Sequence, residues 1–158
     1  MRPEFKEIKN GQRPKVVFDE YLDMPEYQNI QTRMLGADSF PYRNITITTD
    51  IFNSAVKALD NMFFIGIQEA YDLSVKIMLR ELSVNHELSV VKERDQASSK
   101  KMKVKKMEIL NNSTAIKKLR DHNFWDIELY KLGVEKFCRT AKKYPDLYEE
   151  VKKTKVKC

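Results

Sequence analysis

Glycine is scarce in this chain, with four residues in 158, at Gly11, Gly36, Gly66 and Gly133, none close to another. A phosphate-binding loop needs clustered glycines, because only they let successive backbone N–H groups close around an anion at a helix start. Their scatter excludes such a loop. Histidine and cysteine are equally sparse: His86 and His122 stand far apart, and Cys138 and Cys158 lack metal-ligand spacing, so no zinc site is expected. One cysteine pair, with Cys158 as the last residue, does not make a disulfide framework and reads as two free thiols. Apolar runs are short too. A membrane-spanning helix needs about eighteen to twenty apolar residues, and the longest near-apolar stretch, Met62 to Ile67, falls well below that. Residues 1–11 carry Arg2, Lys6 and Lys9 with no apolar core behind them, so no secretory leader is expected there. No G-x-S-x-G turn is present to raise a nucleophilic serine.

What is present describes an ordinary folding domain. Hydrophobic residues make up 42% and charged residues 33%, enough for one core and a wet surface. The net charge of +6 favours an anionic partner, although 23 acidic residues dilute that preference. Two lysine clusters, Lys100 to Lys106 and Lys152 to Lys157, read either as solvated surface or as a polyanion contact. Neither interleaves aromatics for base stacking, so nucleic acid is not the expected partner.

Periodicity divides the chain into a polar lead-in over 1–14, a folded region over 15–145 interrupted by a charged loop at 84–107, and a basic tail over 146–158. Short helices are expected over 16–22 and 27–35, stopped by Pro25 and Gly36. Thr48, Thr49 or Asp50 can cap an amphipathic helix in which Ile51, Ala55 and Leu59 share a face. Met62 to Ile67 is apolar without alternation, of strand length and closed by Gly66, the pattern of a parallel strand buried on both faces. A helix follows with Tyr71, Val75, Met78 and Leu82 on one side. The fold class expected is therefore α/β, mostly helical, with one buried strand at 62–67 flanked by helices, the rest of its sheet coming from elsewhere. A short helix from Asn112 and a long one from Phe124 to Ala141 close the chain, the latter opened by Asn123 and Asp126 as a capping box. Glu69 falls where strand gives way to helix, the end at which α/β proteins bind ligands; it reads more readily as a first-turn acid favoured by the helix dipole. Asn44-Ile45-Thr46, Asn111-Asn112-Ser113 and Asn112-Ser113-Thr114 are glycosylation sequons, meaningful if the chain reaches a secretory lumen.

Three segments in this order resemble the C-terminal half of the carbohydrate-type sulfotransferases. Asn29-Ile30-Gln31-Thr32-Arg33-Met34-Leu35 is similar to that family's N-x-Q-T-R-x-L stretch, Phe64-Ile65-Gly66-Ile67-Gln68-Glu69 to its F-V-G-x-x-E strand end, and Asn123, Asp126, Leu129 and Tyr130 to its N-x-x-D-x-x-L-Y helix. The resemblance implies the C-terminal part of a P-loop-like fold, PAPS as sulfuryl donor, a glycan hydroxyl as acceptor and the Golgi lumen as compartment. The family's phosphosulfate loop, its 3′-phosphate-binding residues and its catalytic base lie upstream of everything matched, so neither catalytic nor cofactor-binding residues are assigned. Gln31, Arg33 and Glu69 are the candidates for shaping the acceptor side. Three readings follow: a sulfotransferase-type chain inactive without a second chain or a missing N-terminal half, a non-catalytic basic module holding anionic glycans, and a helical interaction module using the Phe124 to Ala141 face.

Overall fold

A computed structural model of the chain describes residues 22–37, 46–84 and 110–158. The lead-in at 1–14, nearly all of the helix expected at 16–22, the charged loop beyond residue 84 with its Lys100 to Lys106 cluster, and Asn44 lie outside those residues. Six helices organise the described residues: α1 (Ile30–Gly36), α2 (Thr49–Asn61), α3 (Tyr71–Glu81), α4 (Ser113–His122), α5 (Phe124–Ala141) and α6 (Pro145–Val151). Single 3-10 turns at Pro25–Tyr27 and Gln68–Ala70 precede α1 and α3. Helix accounts for 73% of the described residues, and no strand occurs among them.

The buried parallel strand expected at 62–67 is therefore absent, and the α/β class gives way to an all-helical one among the described residues. Extended backbone does run through this segment, from Met62 at φ −66°, ψ 132° to Ile67 at φ −111°, ψ 128°. What it lacks is a neighbouring strand. Its inner end is tied to a side chain instead: Ser74 Oγ accepts from Ile67 N–H (2.9 Å) and donates to the Ile67 carbonyl (3.2 Å). Ile67 is buried and Phe64 and Ile65 are half-buried, while Phe63 is 64% exposed. A run apolar at every position thus acts as a connector that turns Phe64, Ile65 and Ile67 inward.

Two packed clusters form the core. One joins Ile67, Leu73 and Ile77 to Phe137, Cys138 and Ala141 of α5 and to Leu147, Val151 and Val156 beyond it. The other joins Ala55 and Leu59 of α2 to Leu129 of α5, with Leu35 and Phe52 at its margin. Ile65 touches both, so the connector and α5 hold the halves together. Burial of Ala55 and Leu59 follows the face expected for α2. On α3 the buried residues are Leu73, Ser74 and Ile77, whereas Tyr71 and Leu82 are 58% and 50% exposed, so the face read from 71, 75, 78 and 82 is rotated from the true one. Ser74 explains the error, since a hydroxyl that bonds a neighbouring backbone is as much at home inside as an apolar residue. α3 is also clamped to α6 and the turn before it: Arg80 donates to both oxygens of Asp146 (2.9 and 2.6 Å), and Lys143 Nζ and the Tyr144 hydroxyl both donate to Glu81. Those two donors, Lys143 foremost, hold the Glu81 carboxyl below the usual carboxylate range.

Past Tyr144 the chain turns rather than trailing off. Pro145 at the first position of α6 suits a helix start, and Leu147 and Val151 are buried on the return. The return brings Cys158 to Cys138 with Cα atoms 5.6 Å apart, and the two are disulfide-bonded. The reading of two free thiols is corrected accordingly: spacing along the chain gave no hint of a pairing that α6 creates in space.

Gly36 and Gly133 separate two uses of glycine. A Cβ at Gly36 would sit on the Ile51 carbonyl oxygen and within 3.1 Å of Ala55 N, so α1 and α2 touch backbone to backbone there. At Gly133 an added Cβ meets Ile65 and Leu59 side chains at 3.8 and 3.9 Å, ordinary contact distances. Gly36→Ala should cost about 2 kcal/mol by forcing the helices apart, whereas Gly133→Ala should gain about 0.5–1 kcal/mol from helix propensity. Urea unfolding of the two variants, followed by circular dichroism, should move the midpoint in opposite directions.

Candidate functional site

The three sequence segments singled out above meet in space. An isolated helix leaves its first four amides without acceptors, and α1 and α5 solve this for each other. Asp126, in the first turn of α5, reaches across to the start of α1: Oδ2 accepts from Gln31 N–H (3.1 Å), and Oδ1 accepts from Thr32 N–H (2.8 Å) and from the Thr32 hydroxyl (2.7 Å). Asn29 reaches the other way. Its Oδ1 accepts from Asp126 N–H (3.1 Å) while its Nδ2 donates to the His122 carbonyl (2.7 Å). Its own N–H donates to Asn123 Oδ1 (3.0 Å). Asn29 holds φ 48°, ψ 46°, the left-handed region that asparagine tolerates better than most residues. The backbone turn so made lets one side chain face α5 while the next residues enter α1.

The capping box expected within α5 is thus replaced by a cap between helices. Asn123 sits at the N-cap position but makes no cap bond to its own helix; its oxygen serves Asn29 and its Nδ2 donates to the Leu119 carbonyl (2.9 Å). The opposite case is α4, where Asn112 Oδ1 accepts from Ala115 N–H (3.0 Å), the local cap that a helix beginning there requires. His122 extends the lock. With its proton on Nδ1 the ring donates to the Leu22 carbonyl (2.7 Å), which also accepts from Gln28 Nε2 (3.1 Å).

Of the candidate residues, Arg33 is 5% exposed beneath this lock. Burial pulls its guanidinium below the usual value, against the opposing pull of the Asp126 and Glu26 carboxylates. Gln31 is exposed and enters the lock through its backbone N–H. Glu69 sits in the 3-10 turn before α3 and accepts from the Tyr130 hydroxyl (3.0 Å). Burial, with that hydrogen bond second, raises the Tyr130 phenol above its ordinary value. Glu69 and Tyr130 therefore pair across two of the segments, as Asn29 and Asp126 do, but Glu69 is not brought together with Gln31 and Arg33 by any hydrogen bond among the described residues.

A nucleotide phosphosulfate does not fit these residues. The start of α1 is already occupied by the Asp126 carboxylate, whose charge opposes a second anion, and the start of α5 is closed by Asn29. The amide of Ile51 at the start of α2 is taken by Thr48 Oγ1 and that of Ala115 in α4 by Asn112, while α3 and α6 carry Asp72 and Asp146 in their first turns. Among the described residues no group of three or more His, Cys, Asp or Glu side chains is placed to hold a metal ion.

The sequence treated the C-terminal lysines as a tail, and the structure folds them into a surface. Lys142, just past α5, and Lys152, just past α6, both stand over the Tyr148 ring, at 5.8 and 4.9 Å from its centroid. Lys157 and Arg139 are the chain neighbours of the bridged cysteines. Lys152 is paired with Glu149 (2.6 Å), but Arg139, Lys142, Lys153, Lys155 and Lys157 carry no ion pair among the described residues. The signal available in the sequence was the density of lysine after Val151; the bridge that ties its end to α5 was not visible.

Compared with known proteins, the chain matches no family model, no curated protein and no solved structure. No helix among the described residues is long and apolar enough to cross a membrane.

The α1–α5 lock makes a measurable demand on stability. Asp126→Ala should cost about 2–3 kcal/mol, the worth of a charged cap serving several donors. Asn29→Ala should cost about 1–2 kcal/mol by the same reasoning. Because the two caps are one interface, the double variant should lose less than the sum by at least about 0.5 kcal/mol; strictly additive urea midpoints would show two independent caps.

Proposed function

We propose that this chain is a non-catalytic module that holds an anionic glycan, its likeness to the carbohydrate sulfotransferases being one of helical frame and glycan partner rather than of chemistry. The observation that carries the reading is the density of basic residues at the C-terminal end: Lys142 and Lys152 stand over the Tyr148 ring, Arg139 and Lys157 adjoin the bridged cysteines in the chain, and Lys153 and Lys155 lie between Lys152 and Lys157. Sulfate and carboxylate groups spaced along a sugar polymer are met by ammonium groups spaced along a surface, and the Tyr148 ring lies within reach of two of them.

Three further points support a binding role over a catalytic one. Asn29, Asp126 and Glu69, three polar residues of the resembling segments, are engaged in bonds between elements. The helix starts hold acids or side-chain caps where a sulfuryl donor would need open amides. The Phe124 to Ala141 helix does not present one free face for a partner helix, because Leu129, Phe137 and Ala141 are buried in the chain's own core.

Heparin affinity chromatography tests the reading. Replacing Arg139, Lys142, Lys153 and Lys155 together by Ala should weaken binding about tenfold, since exposed charges contribute a few tenths of a kcal/mol each, and should flatten the dependence of retention on salt. Unchanged retention in that variant, with loss of retention when Lys100, Lys101, Lys103, Lys105 and Lys106 become Ala, would overturn the assignment of the surface. A calorimetric titration of the wild-type chain with desulfated cofactor, PAP, should give no binding tighter than about 100 μM. A tighter complex would restore the sulfotransferase reading.

A further inference from the structure

Two of the three sequons fall at the start of α4, where the Asn112 side chain is held in a defined orientation. Asn112 is exposed, as are Asn111, Ser113 and Thr114. The side-chain amide of Asn112 is oriented by its cap, Oδ1 accepting from Ala115 N–H at 3.0 Å. That bond uses the oxygen and leaves Nδ2, the atom that N-glycosylation modifies, outside every hydrogen bond of the described residues. A sugar on Nδ2 would leave the acceptor lone pairs of Oδ1 in place, so cap and glycan are compatible. It would also stand at a surface turn clear of both core clusters.

A sequon is chemistry only in a lumen that holds the glycosylating enzyme, and a second, independent feature points to such a place. The chain has two cysteines, and they are bonded to each other across a 20-residue separation. Disulfides of this kind persist in secretory and extracellular compartments and are rare where thiol reductants dominate. Neither feature depends on the glycan-binding reading above.

We infer that Asn112 carries an N-linked glycan, added as the chain passes through an oxidising lumen in which Cys138 and Cys158 also pair. The donor is a lipid-diphosphate-linked oligosaccharide. Asn112 Nδ2 forms a bond to the anomeric carbon, that carbon's bond to the diphosphate oxygen breaks, the lipid diphosphate leaves with the electron pair, and one amide proton passes to base. In the pairing step the two thiols lose two protons and two electrons to a protein disulfide, which is reduced to its dithiol.

The test uses the full chain isolated from the cells that naturally make it. Thiols are alkylated without reductant, and the protein is then treated with peptide N-glycosidase and mapped by mass spectrometry. The enzyme should convert residue 112 from a glycosylated asparagine to aspartate, with neither cysteine alkylated. In a chain carrying Thr114→Ala, which keeps Asn112 and its cap, the conversion at residue 112 should vanish while helical content by circular dichroism is unchanged. Unmodified Asn112 in the natural protein, or a glycan confined to Asn44 or Asn111, would overturn the site. Two alkylated cysteines would overturn passage through an oxidising lumen and the inference with it.

Discussion

Two helices that begin near each other each lack acceptors for their first amides, and the Asn29–Asp126 exchange supplies both from one contact. The residues that do this are 97 positions apart in the chain, so the lock can form only when the N-terminal and C-terminal parts of the described structure come together. Much else depends on that approach. It sets α1 beside the start of α5, and the backbone contact at Gly36 then sets α2 against α1. Leu59 and Ala55 reach Leu129 from there. Asp126 contributes more than a neutral cap would, since its charge faces the positive end of α1 and its two oxygens serve three donors. Buried Arg33, one residue beyond Thr32, has a carboxylate nearby without facing it across open solvent.

From the lock, order passes along α5. Its N-terminal half carries Leu129 into one cluster, its C-terminal half carries Phe137, Cys138 and Ala141 into the other, and Ile65 from the connector closes the seam between them. The connector is the element that a sheet would otherwise provide. Its backbone is extended, yet it is pinned by Ser74 at its inner end, and just before it Lys136 Nζ donates to the Leu59 carbonyl (2.9 Å) in the last turn of α2. Side chains from helices thus take the place of strand neighbours, which is why an all-helical arrangement can accommodate six apolar residues in a row.

That substitution also marks where sequence reading succeeds and where it stops. The helices over 49–61 and 124–141 follow from periodicity, because burial of one face is a local property of the pattern. Thr48 was one of three legible cap candidates and is the one that bonds, to the amide three residues on; Asn112 marked a helix start, and its cap is a finding of the structure. Met62 to Ile67 was not, since a strand and an extended connector share a composition and differ only in what lies beside them. Asn123 and Asp126 show the same limit in a different form: their spacing fits a capping box, and only the presence of α1 redirects both side chains outward. Cys138 and Cys158 depend on α6, a seven-residue helix too short to announce itself by period.

The resemblance to sulfotransferase segments takes on a physical meaning in this light. Three short stretches, separated by tens of residues, contain the asparagine and aspartate that cap each other's helices and the glutamate and tyrosine that pair beside the connector. Those contacts are contacts between elements of this chain. Such contacts specify how the helices meet, and they engage the Asn29 and Asp126 side chains in doing so. Function in this chain is then sought away from them, where charge is unsatisfied rather than spent. The C-terminal segment meets that condition: Arg139, Lys142, Lys153, Lys155 and Lys157 have no ion pair among the described residues, and the disulfide ties the last residue back to α5.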